Sequence, residues 1–366
     1  MKDMPRRGIP GCEMSVTVDG ETVYRIGVGH ANAEGTRPVS SDDLYWLYSA
    51  TKVVTCIATM RLVEEGKLSL SDPVSKYLPE FADMTVKEKD GTLRPAKTVM
   101  TVEQLFTMSA GLDYGTKKDS LQAAIAKNGT TREIVAAMAE NPLNFDPGTR
   151  YLYSFCHDVL AAVAEVVTGK RFSDYLDEVL FRPLGIQSMG FHPTPEQEKR
   201  LVAMYRYRNG AAVAEPVPCK NDYCFTPNYD SGGAGLFGSV DEYMKIITPI
   251  ACGGVAKNGY RILKPETIQL FRENRLSPTQ LDDLVTARRF GYGFGLCCRV
   301  HIDPAVSMCL SPVGEFGWSS ATAHHVLMDT DNRLAFHFAT HLLGCDYAHS
   351  MIHPILRNLV YEGLRA

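Results

Sequence analysis

Ser49-Ala50-Thr51-Lys52 places a hydroxyl and an amine three residues apart, which on a helix puts both on one face of the first turn. Residue types and spacing together suggest a mechanism. A serine at a helix N-terminus lies beside backbone N–H groups and the positive end of the helix dipole, and both stabilise an oxyanion. A lysine sunk in a core helix loses solvation, which favours the neutral amine, and a neutral amine can take the serine's proton. The pair suits acyl transfer through a covalent serine ester. One such tetrad is expected by chance in a chain of 366 residues, so its context must carry the weight. It is the only Ser-x-x-Lys in the chain, and it opens an apolar segment.

That segment, Ala50 to Glu65, carries Val53, Val54, Ile57, Ala58, Met60, Leu62 and Val63. It is too apolar for a surface helix and predicts a buried one, ended by Gly66. Ahead of it, Met14 to Val18 and Thr22 to Val28 are β-rich runs separated by Asp19-Gly20, a strong hairpin signal. The middle of the chain reads as helical. Thr101 opens a capping box to Gln104, Thr131 to Ala139 and Asp158 to Val167 are periodic, the latter closed by Gly169, and Ser239-Val-Asp-Glu opens another helix. Beyond a basic and polar region from Arg272 to Arg289 the period changes to two. Phe294 to Ile302, Ala321 to Met328 and Leu334 to Ala339 read as strands, with Asp329 to Asn332 as a hairpin turn and a last helix from Asp346 to Leu364. Strands at both ends and helices between predict an α/β (α+β) fold. Residues 1–65 and 285–366 would share one antiparallel sheet flanked by helices, and residues 66–284 would form a mostly helical insertion.

Composition sets bounds on partners and compartment. The chain is 45% hydrophobic and 22% charged, with Lys+Arg 38 against Asp+Glu 42 and a formal net charge of −4. A large core is affordable, and disorder is excluded. Near-neutral charge gives no drive toward nucleic acid, and no basic run marks an anionic membrane patch. No apolar run approaches the 18 or so residues of a membrane span, and Gly8-Ile9-Pro10-Gly11 follows Arg6-Arg7 where a secretory signal would need an apolar stretch. The ten cysteines sit mostly in apolar segments without a Cys-x-x-Cys pair and read as free thiols of a reducing cytoplasm. Cys219 and Cys224 would be half a metal site at most.

Several stretches taken in order resemble a known superfamily. They are Ile9-Pro10-Gly11-Cys12, the Ser49 tetrad, the run from Val63-Glu64-Glu65-Gly66 through Asp72-Pro73 to Tyr77-Leu78-Pro79, and Phe145-Asp146-Pro147-Gly148-Thr149 with Tyr153-Ser154. Together they resemble the serine β-lactamase and penicillin-binding-protein superfamily, and within it the class C-like branch that includes the family VIII carboxylesterases. The resemblance runs from about Ile9 to the C-terminal helix and implies a β-lactamase/transpeptidase-like fold. It implies Ser49 as nucleophile with Lys52 and Tyr153 as catalytic partners, either of which could be the base. Tyr151 is the local competitor of Tyr153. Relatives usually carry a helix before the first strand; Met1 to Arg7 is too short for one, so the sheet face is capped differently or the chain begins within a longer product.

Two departures from the family pattern concern substrate. Phe155 stands where β-lactamases have the asparagine of Tyr-x-Asn, and a phenyl ring cannot hydrogen-bond a substrate amide. Trp318 stands where they have the lysine of a strand triad, in Gly317-Trp318-Ser319-Ser320-Ala321; Ser320 replaces a glycine, and the backbone N–H of Ala321 would join that of Ser49 in the oxyanion hole. Phe155, Trp318, Ser319, Ser320 and Tyr223 are the expected substrate-binding residues. The implied function is hydrolysis of small carboxylic esters through a Ser49 acyl-enzyme, without metal or organic cofactor and acting on a small-molecule ester or amide. A β-lactamase or D-amino-acid amidase is the alternative on the same fold, and a non-catalytic binding relative the alternative of another class.

Other signals weigh less. Gly317 to Ala321 also approximates a Gly-x-Ser-x-Gly elbow with Ser319 as nucleophile. Ser231-Gly-Gly-Ala-Gly-Leu-Phe-Gly238 lacks a phosphate loop's ending and reads as a tight turn. His324 and His325 would face opposite sides of a strand. Tyr205, Tyr207, Tyr223 and Phe225 would line an acyl pocket or pack the insertion.

Overall fold

Asp19 and Gly20 both take positive φ, 51° and 81°, the turn whose twist matches that of the strands it joins. The strands β1 (Gly11–Val18) and β2 (Glu21–Gly29) therefore pair as an antiparallel hairpin. The computed structural model describes residues 1–207, 215–286 and 289–365. The C-terminal part supplies β3 (Tyr292–Gly295), β4 (Cys298–His301), β5 (Phe316–Ser319), β6 (His325–Asp329) and β7 (Leu334–Thr340). They form one seven-stranded sheet in the order β2-β1-β7-β6-β5-β4-β3, with every neighbouring pair antiparallel. The two chain ends meet at the β1–β7 seam, where Cys12 lies opposite Thr340.

The expected strands differ in two places. Phe294 to Ile302, read as one strand, is the β3–β4 hairpin, turned at Leu296-Cys297 with Cys298 at φ 68°; a turn made of apolar residues leaves no polar mark in the sequence. Ala321 to Met328, read as a second strand, begins as a turn. There the Ser320 hydroxyl accepts from His324 N at 3.1 Å, Ser320 N donates to His324 O at 3.0 Å, and β6 starts only at His325. The preceding Phe316–Ser319 is itself a strand, so Trp318 lies in the sheet.

Alternation along β7 fixes what covers each face. Leu334, Phe336 and Phe338 pack with Ile352 and Leu356, the latter on the C-terminal helix α4 (His353–Arg365), which follows a π-helical turn at Ala348–Ile352. Met4 and Ile9 join this layer, capping the face where the short N-terminus forms only a 3-10 turn, Pro5–Arg7. Ala335 and Ala339 face the other way, and small residues there let α3 (Val240–Ala251) lie on the sheet. Ser239 caps α3 through Glu242 N at 3.2 Å.

Helix α1 (Thr51–Glu64) is buried almost all round and ends at Gly66, φ 69°. It packs on α2 (Cys156–Thr168) and on strands β4 and β5. The glycine-rich segment after Ser231 threads along α1: Gly232 O accepts from Thr55 Oγ1 at 2.7 Å, Gly233 O from Lys52 Nζ at 2.6 Å, and Leu236 N donates to Thr51 Oγ1 at 3.1 Å. It is a structural turn, as expected, and its glycines are there for closeness. A Cβ on Gly232 would stand 2.5 Å from His157 O, and one on Gly233 2.3 Å from Asp158 Oδ2.

At the root of β5, Glu315 is fully buried between Arg299 on β4 and Arg357 on α4, and it also accepts from Ser311 Oγ at 3.1 Å. Burial alone would raise its pKa, but the two guanidinium groups outweigh it and hold the carboxyl below its ordinary 4.5.

Two stability outcomes follow from these contacts. Gly232→Ala should lose about 1–3 kcal/mol in urea denaturation, because its obstacles are backbone and a neighbouring helix. Glu315→Gln should lose about 3–5 kcal/mol at pH 7 by stranding two buried cations. Because the folded pKa of Glu315 is depressed, its contribution is present above pH 4.5 and lost as pH falls through the folded value. Denaturation at stepped pH should therefore find the variant's acid limb flatter than the wild type's.

Candidate active site

Tyr48 adopts φ 46°, a left-handed conformation rare for a bulky residue, immediately before Ser49. Tyr48–Ala50 is a 3-10 turn that feeds α1 at Thr51, so Ser49 stands one turn ahead of the α-helix and not within it. The turn is fixed from below. Ala50 O accepts from the Tyr243 hydroxyl of α3 at 2.7 Å, and Leu47 N donates to Leu236 O at 2.9 Å. Ser49 is half-buried and faces an open cleft of about 370 Å³.

Lys52, on the next turn, is fully buried. Its Nζ donates to Gly233 O at 2.6 Å and to the Tyr114 hydroxyl at 2.7 Å, and lies 4.7 Å from the centre of the Tyr153 ring. The Tyr153 hydroxyl instead accepts from Trp318 Nε1 at 2.9 Å. Lys52 thus touches the ring of Tyr153 and the hydroxyl of Tyr114. Burial, with Tyr153 and Asp158 nearby, pushes the Tyr114 phenol well above its ordinary pKa, so it stays protonated. Tyr151 is raised in the same way, mainly by burial; it packs on Phe294 at 5.4 Å and lines the cleft beside Tyr153.

The opposite wall is β5 and the turn after it. Trp318, Ser319, Ser320 and Ala321 all border the cleft with Ser49, Tyr114, Tyr153 and Tyr223. The Ser319 hydroxyl bonds His325 Nδ1 at 3.0 Å and that of Ser320 bonds Thr322 Oγ1 at 3.0 Å, so both are tied into the sheet. Ser319 ends a strand that turns into another antiparallel strand, which overturns the nucleophile-elbow alternative. Phe155 is a correction to the expected binding set. It is buried behind Tyr114, ring centres 4.6 Å apart, and is not part of the cleft wall. Tyr114 occupies the space in front of it.

The remaining candidates separate. Tyr223 and Phe225 pack beside the cleft, whereas Tyr205 and Tyr207 belong to the layer under the C-terminal helix. His324 Nδ1 meets His337 Nε2 at 3.1 Å while His325 turns to Ser319, so the two histidines face apart as expected. The Cys219 thiol reaches Val202 O at 3.4 Å and that of Cys224 reaches Gly235 O at 3.8 Å. A tighter group is Cys56, His157 and Cys298, whose ligand atoms lie within 4.8 Å of one another beneath α1. Burial raises both thiols well above their ordinary values and lowers the imidazole to about 3.

Four positions in or behind the cleft are not marked by the sequence motifs: Tyr114, Asp158, Arg289 and His349. Tyr114 sits in an Asp-Tyr-Gly turn, a loop aromatic between turn residues, which was the available signal. Asp158 lies on α2 and accepts from Tyr229 OH and Ser231 Oγ, both at 2.6 Å, and from Gly233 N at 3.3 Å. Arg289 and His349 enter the cleft from the two segments flanking the sheet.

The family model described as Beta-lactamase matches residues 1–350. Esterase EstB of Burkholderia gladioli is 30% identical over 346 residues, covering 88% of this chain and 83% of EstB. The solved structure of EstCE1, a hydrolase with promiscuous acyltransferase activity, superposes with TM-score 0.81 at 24% identity, over 98% of this chain and 95% of its own. A family VIII carboxylesterase superposes with TM-score 0.72 at 21% identity, over 98% and 94% of the two chains. No described helix is long and apolar enough to cross a membrane. With the fold, the Ser-x-x-Lys turn and the family match in agreement, the chain belongs to the beta-lactamase family and is an enzyme of its serine hydrolase class.

Proposed function

We propose that the protein hydrolyses small carboxylic esters through an acyl-enzyme on Ser49. The observation that carries this reading is the convergence of Ser49, Tyr153 and Trp318 on one cleft, with Lys52 buried behind it against the Tyr153 ring. In the first half-reaction the Ser49 hydroxyl attacks the acyl carbonyl while its proton passes to the Lys52–Tyr153 pair. The backbone N–H groups of Ser49 and Ala321 receive the oxyanion, and the same pair returns the proton to the departing alcohol. Water then attacks the acyl-enzyme along the same proton path and releases the acid.

Ester substrates are favoured over lactams by what fills the Tyr-x-Asn corner. The Phe155 ring offers no hydrogen bond, and the Tyr114 hydroxyl in front of it is already engaged by Lys52. No side-chain amide stands there to hold a substrate amide. A simple ester, which carries no such amide, does not need one. The esterase EstB among the relatives supports the same reading.

With 4-nitrophenyl acetate, Ser49→Ala should lower kcat by about 10³-fold or more; turnover that survives the substitution would sink the acyl-enzyme. Nitrocefin hydrolysed faster than the ester by wild type would reverse the substrate preference. Tyr153→Phe should cost about 10²–10⁴-fold in kcat, the usual worth of a general acid–base group. Tyr114→Phe should cost only about tenfold, because it removes one hydrogen bond to Lys52. If single-turnover kinetics give the larger loss to Tyr114→Phe, the two tyrosines exchange roles.

A further inference from the structure

Among the described residues, the cleft wall holds Arg289 and no Asp or Glu. Its guanidinium lies over the face of Trp318, 5.4 Å from the ring centre, half-buried among Tyr151, Tyr153, Leu284 and His349. Among the described residues, four nearby arginines are paired with carboxylates: Arg150 with Asp283, Arg272 with Asp331, Arg275 with Glu273 and Glu103, Arg299 with Glu315. No carboxylate among the described residues pairs with Arg289. Burial and the charge of Arg299 together pull its pKa below the ordinary arginine value. It is a cation kept in a costly place without a counter-charge.

The guanidinium lies against the indole and lines the cleft, where its fork of N–H donors has no hydrogen-bond partner among the described residues. That fork matches a carboxylate in a bidentate, charge-assisted geometry. Ser49 lies on the same cleft, so an anion held at Arg289 belongs to the molecule being cleaved. We propose that Arg289 anchors a substrate carboxylate and makes the enzyme selective for esters that carry a free carboxylate beside the scissile bond. The proposal rests on the esterase reading above and adds the substrate class. Trp318 carries no charge, so Arg289 supplies the cation that the strand lacks.

Two matched pairs test it and locate the anion. Mono-4-nitrophenyl glutarate against 4-nitrophenyl valerate probes the acyl side; 3-acetoxybenzoate against 3-acetoxybenzamide probes the alcohol side. Wild type should prefer the anionic member of one pair by about 10- to 100-fold in kcat/KM, the worth of a charge-assisted hydrogen-bond pair. Arg289→Met should bring that ratio close to one, chiefly through KM, and Arg289→Lys should keep part of it; thermal melting of each variant checks folding. Neutral esters turned over with no preference in either pair would overturn the proposal and leave the esterase reading standing. Equal loss on both members in Arg289→Met would also overturn it, since Arg289 would then act on Tyr153. If no ester is cleaved, the esterase reading fails, and calorimetry with glutarate still decides the anchor. Binding to Ser49→Ala that disappears in Ser49→Ala/Arg289→Met supports it, and no binding to Ser49→Ala overturns it.

Discussion

An amine and a carboxylate, Lys52 on α1 and Asp158 on α2, are both buried with no ion pair to either among the described residues. Each would cost several kcal/mol if left without hydrogen bonds. Gly233 resolves this from between them, its N–H given to Asp158 Oδ1 at 3.3 Å and its carbonyl taking Lys52 Nζ at 2.6 Å. The two side chains thus meet through one residue, and the amine is positioned without being locked into a salt bridge. Tyr229 and Ser231 complete Asp158 Oδ1, while Oδ2 has no hydrogen-bond partner. That orphan oxygen is the one a Cβ on Gly233 would strike at 2.3 Å. The absence of a side chain at residues 232 and 233 is therefore a condition for the position of Lys52, and through it for the whole site.

The rest of the molecule brings a second wall to that amine. Helix α1 is carried against β4 and β5, so the strand bearing Trp318 meets the turn bearing Ser49. Glu315, one residue before β5, is clamped by arginines from β4 and α4, which ties the strand's register to both neighbours. Trp318 then reaches Tyr153 from the sheet as Lys52 reaches its ring from the helix. A site assembled on strand and helix ends, with each partner fixed by buried bonds, holds its geometry better than one built on loops alone.

What could be read from the sequence was what is local. The Asp19-Gly20 hairpin, the α1 boundaries, the Thr101 and Ser239 caps and the Ser49–Lys52 spacing are encoded within a few residues, and each recurs in the structure. Tyr114 is 62 positions from the lysine it contacts, and nothing near it announces that distance closed. Asp158 read as an ordinary helix residue, because the loop it holds lies 75 positions away. The Phe155 expectation failed for a related reason: the motif gave its place in the chain, but the ring turned into the core once Tyr114 filled the space before it. The β3–β4 turn and the turn after Ser320 were missed because apolar residues and side-chain bonds make them.

The charge of the cleft bears on which bonds it can cleave. Resemblance implied that Trp318 replaces a strand lysine and that the cleft thereby loses a cation. Arg289 removes the premise, since a guanidinium lies on the face of that same tryptophan. The preference for esters then rests on the Tyr-x-Asn corner alone. There, replacing a free amide by a phenol already bonded to Lys52 removes a partner that an amide substrate would need and an ester would not. A cleft with a fixed cation and no amide holder discriminates by two independent features, the charge of the substrate and the amide groups it carries. A carboxylate-bearing ester satisfies both.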